Sequence, residues 1–290
     1  MASTREIRRR IRSVRNISQI TRAMEMVAAS KMRRAQQRVT SSRPYAERIE
    51  AMISDLSALQ LDQEELAAFP LLAKREIRNV QVLLITPDKG LTGPLNSNIL
   101  RRASRFILEE AGAPVQIVAV GKKGLDFMVR TRQNVVAEFT GLSDSLTPAD
   151  IATVAQVVID DYVSGRVDAV QIVYSKFNST LSQTPVVQQL LPIEPKEGSG
   201  EYNDYIFEPN GAEVLTELLP RLVEVEIYQA ILENFASEYS ARMVAMRNAS
   251  DNARDLVSDL TLSYNKARQT QITNEVSEIA AGANAMRQQG

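Results

Sequence analysis

From Ile7 the apolar residues fall at Ile7, Ile11, Val14, Ile17, Ile20, Met24 and Val27, in steps of three and four, and the pattern resumes beyond Pro44 toward Leu59. Ser3 or Thr4 is available to cap the start. The spacing predicts one helical segment over residues 1–60, with a bend near Pro44, about 80 Å long at 1.5 Å per residue. A helix of that length cannot be covered by a compact core alone.

After a linker at 61–75 the period changes. Over 76–195, short β-branched runs at Val80–Thr86, Val115–Val120, Val135–Phe139 and Ala169–Lys176 alternate with helical patterns at Asn96–Ala111, Lys123–Thr131 and Pro148–Ser164, and Pro185–Leu191 reads as a further strand. Strand–helix–strand repetition predicts a mostly parallel sheet covered by helices. The stretch from Pro192 to Gly211, rich in Pro, Gly, Asn and Glu, reads as a loop, assigned to 196–211.

The last segment, 212–290, is helical in pattern. Pro220 stands where the first residue of a helix would be, and no proline follows before Met286. Ile272, Val276, Ile279, Ala283 and Met286 are spaced 4-3-4-3, as in a coiled-coil seam. Two long helices from opposite ends of one chain, with no third to complete a bundle, pack most economically as an antiparallel pair. The fold class is therefore α/β: a long antiparallel two-helix coiled coil from the N- and C-terminal segments, plus a central Rossmann-like domain with a mostly parallel sheet.

Composition narrows the chemistry. The 290 residues contain Cys 0 and His 0, which removes disulfides, thiolate and serine–histidine nucleophiles and the common imidazole and thiolate metal sites. No cofactor is expected. The N-terminus has no signal-peptide apolar region, and no apolar run approaches the ~20 residues that cross a bilayer, so a soluble chain made in the cytoplasm is expected.

A net charge of -1 conceals an asymmetry: residues 1–48 hold 13 Lys/Arg against 3 Asp/Glu. Such a basic arm suits nucleic acid, anionic lipid or an acidic protein surface. Nucleic acid is disfavoured, because the arm has no stacking aromatic before Tyr45 and carries Met24, Met26 and Val27 instead. A Rossmann-like nucleotide-binding enzyme with a coiled-coil tether is the alternative reading, resting on the glycines of Gly121–Gly124 (GKKG). Neither G-x-x-x-x-G-K-[ST] nor G-x-G-x-x-G is present, so a plain strand-to-helix turn is the better reading there. Adjacent Asp160 and Asp161 point to different parts of a helix surface and do not make a catalytic dyad.

Three stretches carry a resemblance. Arg9–Gln36, including ITRAMEMVAASKMRRAQ, and Leu260–Met286, LTLSYNKARQTQITNEVSEIAAGANAM, resemble the two terminal signatures of the gamma subunits of F-type ATP synthases, and Pro87–Asn96, PDKGLTGPLN, is similar to their S-D-[RK]-G-L-C-G-x-L-N loop. Pro87, Thr92 and Pro94 depart from that loop pattern. The inserted segment with a cysteine pair found in chloroplast members is absent, so the chain resembles the bacterial type and thiol control is excluded.

The resemblance implies a noncatalytic rotor shaft that couples proton flow through the membrane sector to ATP synthesis or hydrolysis and regulates the ATPase. Its implied partners are the alpha–beta hexamer, the epsilon subunit and the membrane c-ring, at the cytoplasmic face of the cell (inner) membrane, with the membrane reached only through the complex. By the same resemblance Arg9, Arg22, Met24, Lys31, Arg268, Gln269 and Thr273 are the rotor–stator contacts. Ile279, Ala283 and Met286 form the shaft tip. Asp88, Lys89, Gly90, Leu91, Gly93 and Asn96 belong to the central-domain loop.

Overall fold

The computed structural model describes residues 3–58, 69–143, 146–194 and 211–288. They fall into two compact units, Ala28–Arg242, and the chain ends Met1–Val27 with Met243–Gly290. Helices α1 (Thr4–Ala58) and α5 (Gly211–Gln288) each contribute to both. The linker expected at 61–75 and the loop at 196–211 lie largely outside the described residues. Where that linker is described, Phe69, Leu71 and Leu72 are buried in the core.

The central unit is a five-stranded sheet of β1 (Val80–Ile85), β2 (Val115–Val120), β3 (Asn134–Phe139), β4 (Ala169–Phe177) and β5 (Gln183–Leu191), in the order β3-β2-β1-β4-β5. The first four strands are parallel, and β5 returns antiparallel to β4. β1 lies centrally, and its six residues, VQVLLI, are all buried. A strand covered on both faces needs no polar alternation. At the edge, β3 alternates exposed and half-buried positions.

Successive residues of each strand face opposite layers. Val82, Leu84, Ile117 and Ala119 pack on α2 (Leu95–Arg105, continued by a π-helical turn, Phe106–Glu110) and α3 (Lys122–Arg130), through Leu95, Ile99, Ala103 and Met128. On the other face Leu83, Ile85, Val118 and Ile172 meet α4 (Pro148–Val163) and the start of α5, through Ile151, Val154, Val158, Leu219, Val223 and Ile227. Helix α4 opens on a capping box: Asp150 accepts from the Thr147 amide at 2.7 Å.

Helix α5 changes layers. Ala230 and Ile231 belong to the second layer, but Ala241 packs with the first. The residues between them include buried Glu233, Asn234, Ser237, Glu238 and Ser240, polar where a core helix would be apolar. Ser237 Oγ donates to the Ser175 carbonyl at 3.0 Å, and Ser240 Oγ to the Thr180 carbonyl at 2.6 Å. Ser175 lies past Val173, the last β4 residue paired with β1. The helix therefore crosses beyond the carboxyl end of β1, and two of its serines donate to carbonyls of β4 and of the turn that follows it.

Helix α5 begins at Gly211, not at Pro220, which lies inside it. An internal proline loses one helical hydrogen bond and crowds the preceding turn, at a cost of about 3 kcal/mol. Leu215, Leu219, Leu222 and Val223, all buried around Pro220, offset that cost. Pro44 likewise sits within α1.

In the chain-end unit α1 and α5 run antiparallel. Thr4 Oγ1 contacts Gln271 Oε1 at 3.2 Å, Arg8 reaches the Tyr264 hydroxyl, Ser18 Oγ lies 3.5 Å from Ser250 Oγ, and Arg247 Nε donates to Glu25 Oε1 at 3.0 Å. Ile7, Ile11, Met243, Met246 and Ala253 are buried there. Past Gln271 no described residue of α1 faces α5, and Ile272, Val276 and Ile279 stand 50%, 59% and 72% exposed.

Candidate functional site

Residues Pro87–Asn96 leave the carboxyl end of β1, where strand order reverses and doubly wound sheets hold their ligands. Here the place is filled from within the protein. Asp88 accepts from the Lys122 amide at 2.8 Å and from the Gly141 amide at 3.0 Å. The Lys123 amide donates to the Pro87 carbonyl at 3.1 Å and the Gly124 amide to Thr86 Oγ1 at 2.7 Å. The amides that open α3, which in a phosphate site would face the ligand, are thus all engaged, and Asp88 supplies the anion.

The two glycines of GKKG have a packing reason. A Cβ on Gly121, whose φ is 95°, would lie 1.8 Å from the Thr86 carbonyl oxygen. One on Gly124 would lie 2.8 Å from Thr86 Oγ1. They let α3 close on β1 rather than cradle a nucleotide.

The same loop is held by α5. Arg242 Nη2 donates to the Gly90 carbonyl at 3.2 Å and to Glu238 Oε1 at 2.7 Å, and its side chain is only 12% exposed. Lys89 and Leu91 remain exposed, and Leu91 adopts a positive φ of 64°. Gly93 also has positive φ, while Asn96 lies in the first turn of α2. Sequence reasoning missed Arg242, since one arginine in a long helix carries no local signal.

The expected contact residues fall in both units. In the chain-end unit Arg9, Arg22, Arg268, Gln269 and Thr273 are exposed and Met24 is half-buried. Arg268, Gln269 and Thr273 lie on successive turns of α5, with Thr273 Oγ1 donating to the Gln269 carbonyl at 2.9 Å. Lys31 belongs to the central unit, half-buried, with its ammonium 5.3 Å from the Tyr239 ring centroid. Ile279 and Ala283 are exposed, and the side chain of Met286 lies outside the described residues.

Glu25 was not among the expected site residues, although it is the single acidic side chain from Ile7 to Ala46. It is buried, and burial opposes its charge. Hydrogen bonds from Arg247 and Arg22 outweigh that and hold its carboxyl below the usual range.

A family model described as ATP synthase matches residues 3–286. A chain named ATP synthase gamma chain from Roseiflexus castenholzii is 55% identical over 289 residues, covering 99% of both chains. This chain belongs to the ATP synthase gamma-chain family. Another member, from Dehalococcoides mccartyi, is 52% identical over 287 residues, 99% of this chain and 100% of that one. Among solved structures, a chain of the Euglena gracilis mitochondrial ATP synthase OSCP/F1/c-ring assembly has the same fold, with a TM-score of 0.68 at 22% identity over 98% of this chain and 94% of that one. A chain of the Tetrahymena thermophila mitochondrial ATP synthase central stalk and c-ring matches with a TM-score of 0.62 at 24% identity, over 80% of this chain and 99% of that one. Membership in this family fits a site of helix faces and an occupied loop rather than a cavity with catalytic groups. Among the described residues no cluster of three or more acidic side chains could hold a metal, and no helix is long and apolar enough to cross a membrane.

Proposed function

We propose that this chain is the central rotor shaft of an F-type ATP synthase, coupling proton flow through the membrane sector to ATP synthesis or hydrolysis in an alpha–beta hexamer, and regulating that ATPase. The observation that carries this reading, given the family, is the end of α5. It continues past Gln271, which meets Thr4 of α1, and Ile272, Val276 and Ile279 face outward. From Val276 to Met286 the sequence holds one charge, Glu278. An apolar, nearly uncharged tip slides within a collar without fixing one angle, whereas arginine hydrogen bonds mark angles.

Arg9, Arg22, Met24, Lys31, Arg268, Gln269 and Thr273 are the contacts offered to the hexamer, with Arg268 and Gln269 as the angle-dependent pair. Ile279, Ala283 and Met286 form the tip. The loop Pro87–Asn96 and its domain face the epsilon subunit and the c-ring. That ring holds the chain peripherally at the cytoplasmic face of the cell membrane. Catalytic nucleotide sites belong to the partners.

The test is reconstitution with alpha, beta and epsilon subunits. One copy per hexamer is expected. A reversible disulfide from an engineered Met24→Cys to a cysteine on beta should stop ATP turnover until it is reduced. Turnover that persists with the bond fully formed excludes obligatory rotation of this chain.

A further inference from the structure

Glu25 lies in the seam between α1 and α5, 6% exposed. Arg22 Nη1, one turn earlier on α1, donates to its Oε2 at 2.8 Å, and Arg247 Nε, from α5, to its Oε1 at 3.0 Å. Both arginines stay more than half exposed, at 52% and 54%. Their charges remain hydrated while the carboxylate is removed from water.

Apart from the exposed Thr4–Gln271 and Arg8–Tyr264 contacts near its end, the rest of this seam discriminates poorly between registers. Ser18 faces Ser250, and Ile7, Ile11, Met243 and Met246 are apolar side chains of similar size that pack almost as well one turn out of place. Glu25 does not tolerate that shift. Sliding one helix along the other by a turn, about 5.4 Å, sets Glu25 beside Met243 or Asp251, four residues to either side of Arg247. Either slip keeps the bond from Arg22, which moves with α1, and loses the one from Arg247: the first sets the carboxylate against a thioether, and the second against a like charge. A buried charge so placed adds little net stability but penalises every arrangement that unpairs it.

We propose that the Arg22–Glu25–Arg247 cluster pins the register of α1 against α5, so that load on one helix passes to the other without slip. The register pin stands on the geometry alone, and only the transfer of load rests on the shaft reading.

The chain has Cys 0, so engineered pairs report without background. In the full chain, Ser18→Cys with Ser250→Cys reads the native register, and Ser18→Cys with Arg254→Cys reads the one-turn slip that sets Glu25 beside Asp251. The ratio of the two disulfide yields is measured with Glu25 present and in Glu25→Asp, Glu25→Gln and Glu25→Met backgrounds. The native pair should lead by about tenfold with Glu25, stay ahead with Asp, and lose at least about threefold of its lead with Gln and Met, since unpairing a buried charge is what penalises slip. Glu25→Met should keep a melting temperature close to the parent's, which separates pinning from simple packing. A ratio within twofold of the parent in both Gln and Met variants overturns the pin, whatever their melting temperatures. In reconstituted complexes the Met variant should pump fewer protons per ATP hydrolysed. Loss of register with unchanged pumping would leave the pin standing and remove load transfer, while the shaft reading fails or stands by its own beta-subunit disulfide.

Discussion

Asp88 caps the start of α3 by accepting from the Lys122 amide at 2.8 Å, the position a phosphate oxygen takes in nucleotide-binding sheets. Asp88→Ala should lower stability by about 2 kcal/mol, the scale of hydrogen bonds to a charged group. Millimolar phosphate or ADP should leave the melting temperature of the parent chain unchanged. Urea and thermal melts check both, and a ligand-induced rise in the parent would mean that α3 has free amides after all.

Gly121→Ala should be severe. The new methyl would meet the Thr86 carbonyl oxygen at 1.8 Å, in a backbone conformation, φ 95°, that side chains rarely adopt. Clash and strain together cost at least about 3 kcal/mol. By contrast Gly112→Ala, where φ is 63° and no atom lies within 4 Å, should cost only about 1 kcal/mol. Equal losses for the two would refute the close approach of α3 to β1.

Acid should loosen the central unit partly through Asp168. Its carboxylate accepts from the Arg78 amide at 2.9 Å and the Asn79 amide at 3.0 Å, and the Arg78 bond foremost holds its pKa below the ordinary value against the effect of burial. A depressed folded pKa gives stability that is complete above the unfolded value, about 3.9, and is lost as pH falls through the folded value. The urea midpoints of parent and Asp168→Asn should therefore differ at pH 6 and converge as the pH falls below about 4. A gap that widens on acidification would contradict the assignment.

Arg268 and Gln269 are exposed on α5, so Arg268→Leu with Gln269→Leu should leave the melting of the isolated chain within about 0.5 kcal/mol of the parent. In reconstituted complexes the loss of one charged and one neutral hydrogen bond, about 2–4 kcal/mol together, should depress ATP turnover at least tenfold. Parent-like turnover, with subunit stoichiometry checked by gel, would remove these residues from the angle-dependent contact.

Much of this was legible in the sequence because the signals are periodic. The strand runs Val80–Ile85 and Val115–Val120 are apolar on both faces, and the three- and four-residue steps after Ile7 leave no alternative to a helix. The segment bound at 212 falls beside Gly211, but the place of Pro220 inside the helix was not legible, because proline carries a strong local preference for a first helical turn and only the tertiary burial of Leu215 and Leu219 overrides it. The layer change of α5 was hidden for a related reason: Glu233, Asn234 and Ser237 read as a solvated face, and the partner of Ser237, the Ser175 carbonyl, is a backbone atom about sixty residues away. The terminal motifs single out Arg22 and Arg268 as expected contacts, but a motif does not reveal that Glu25, between Met24 and Met26, turns inward.

The passage of α5 across the carboxyl end of β1 bears on how the chain is made. Residues 76–195 emerge from the ribosome well before Gly211–Arg242, yet Leu215, Leu219, Leu222, Val223 and Ile227 share with α4 the cover of one face of their sheet. Until those residues are synthesised, Leu83, Val118 and Ile172 lack part of their cover and present sticky apolar surface. The N-terminal residues Thr4 to Glu25 wait longer still, because their partners lie at 247–271. Folding is therefore completed only near the end of translation. A nascent chain stalled before Arg242 should depend on chaperones and be digested readily by proteases, while full-length product should resist them.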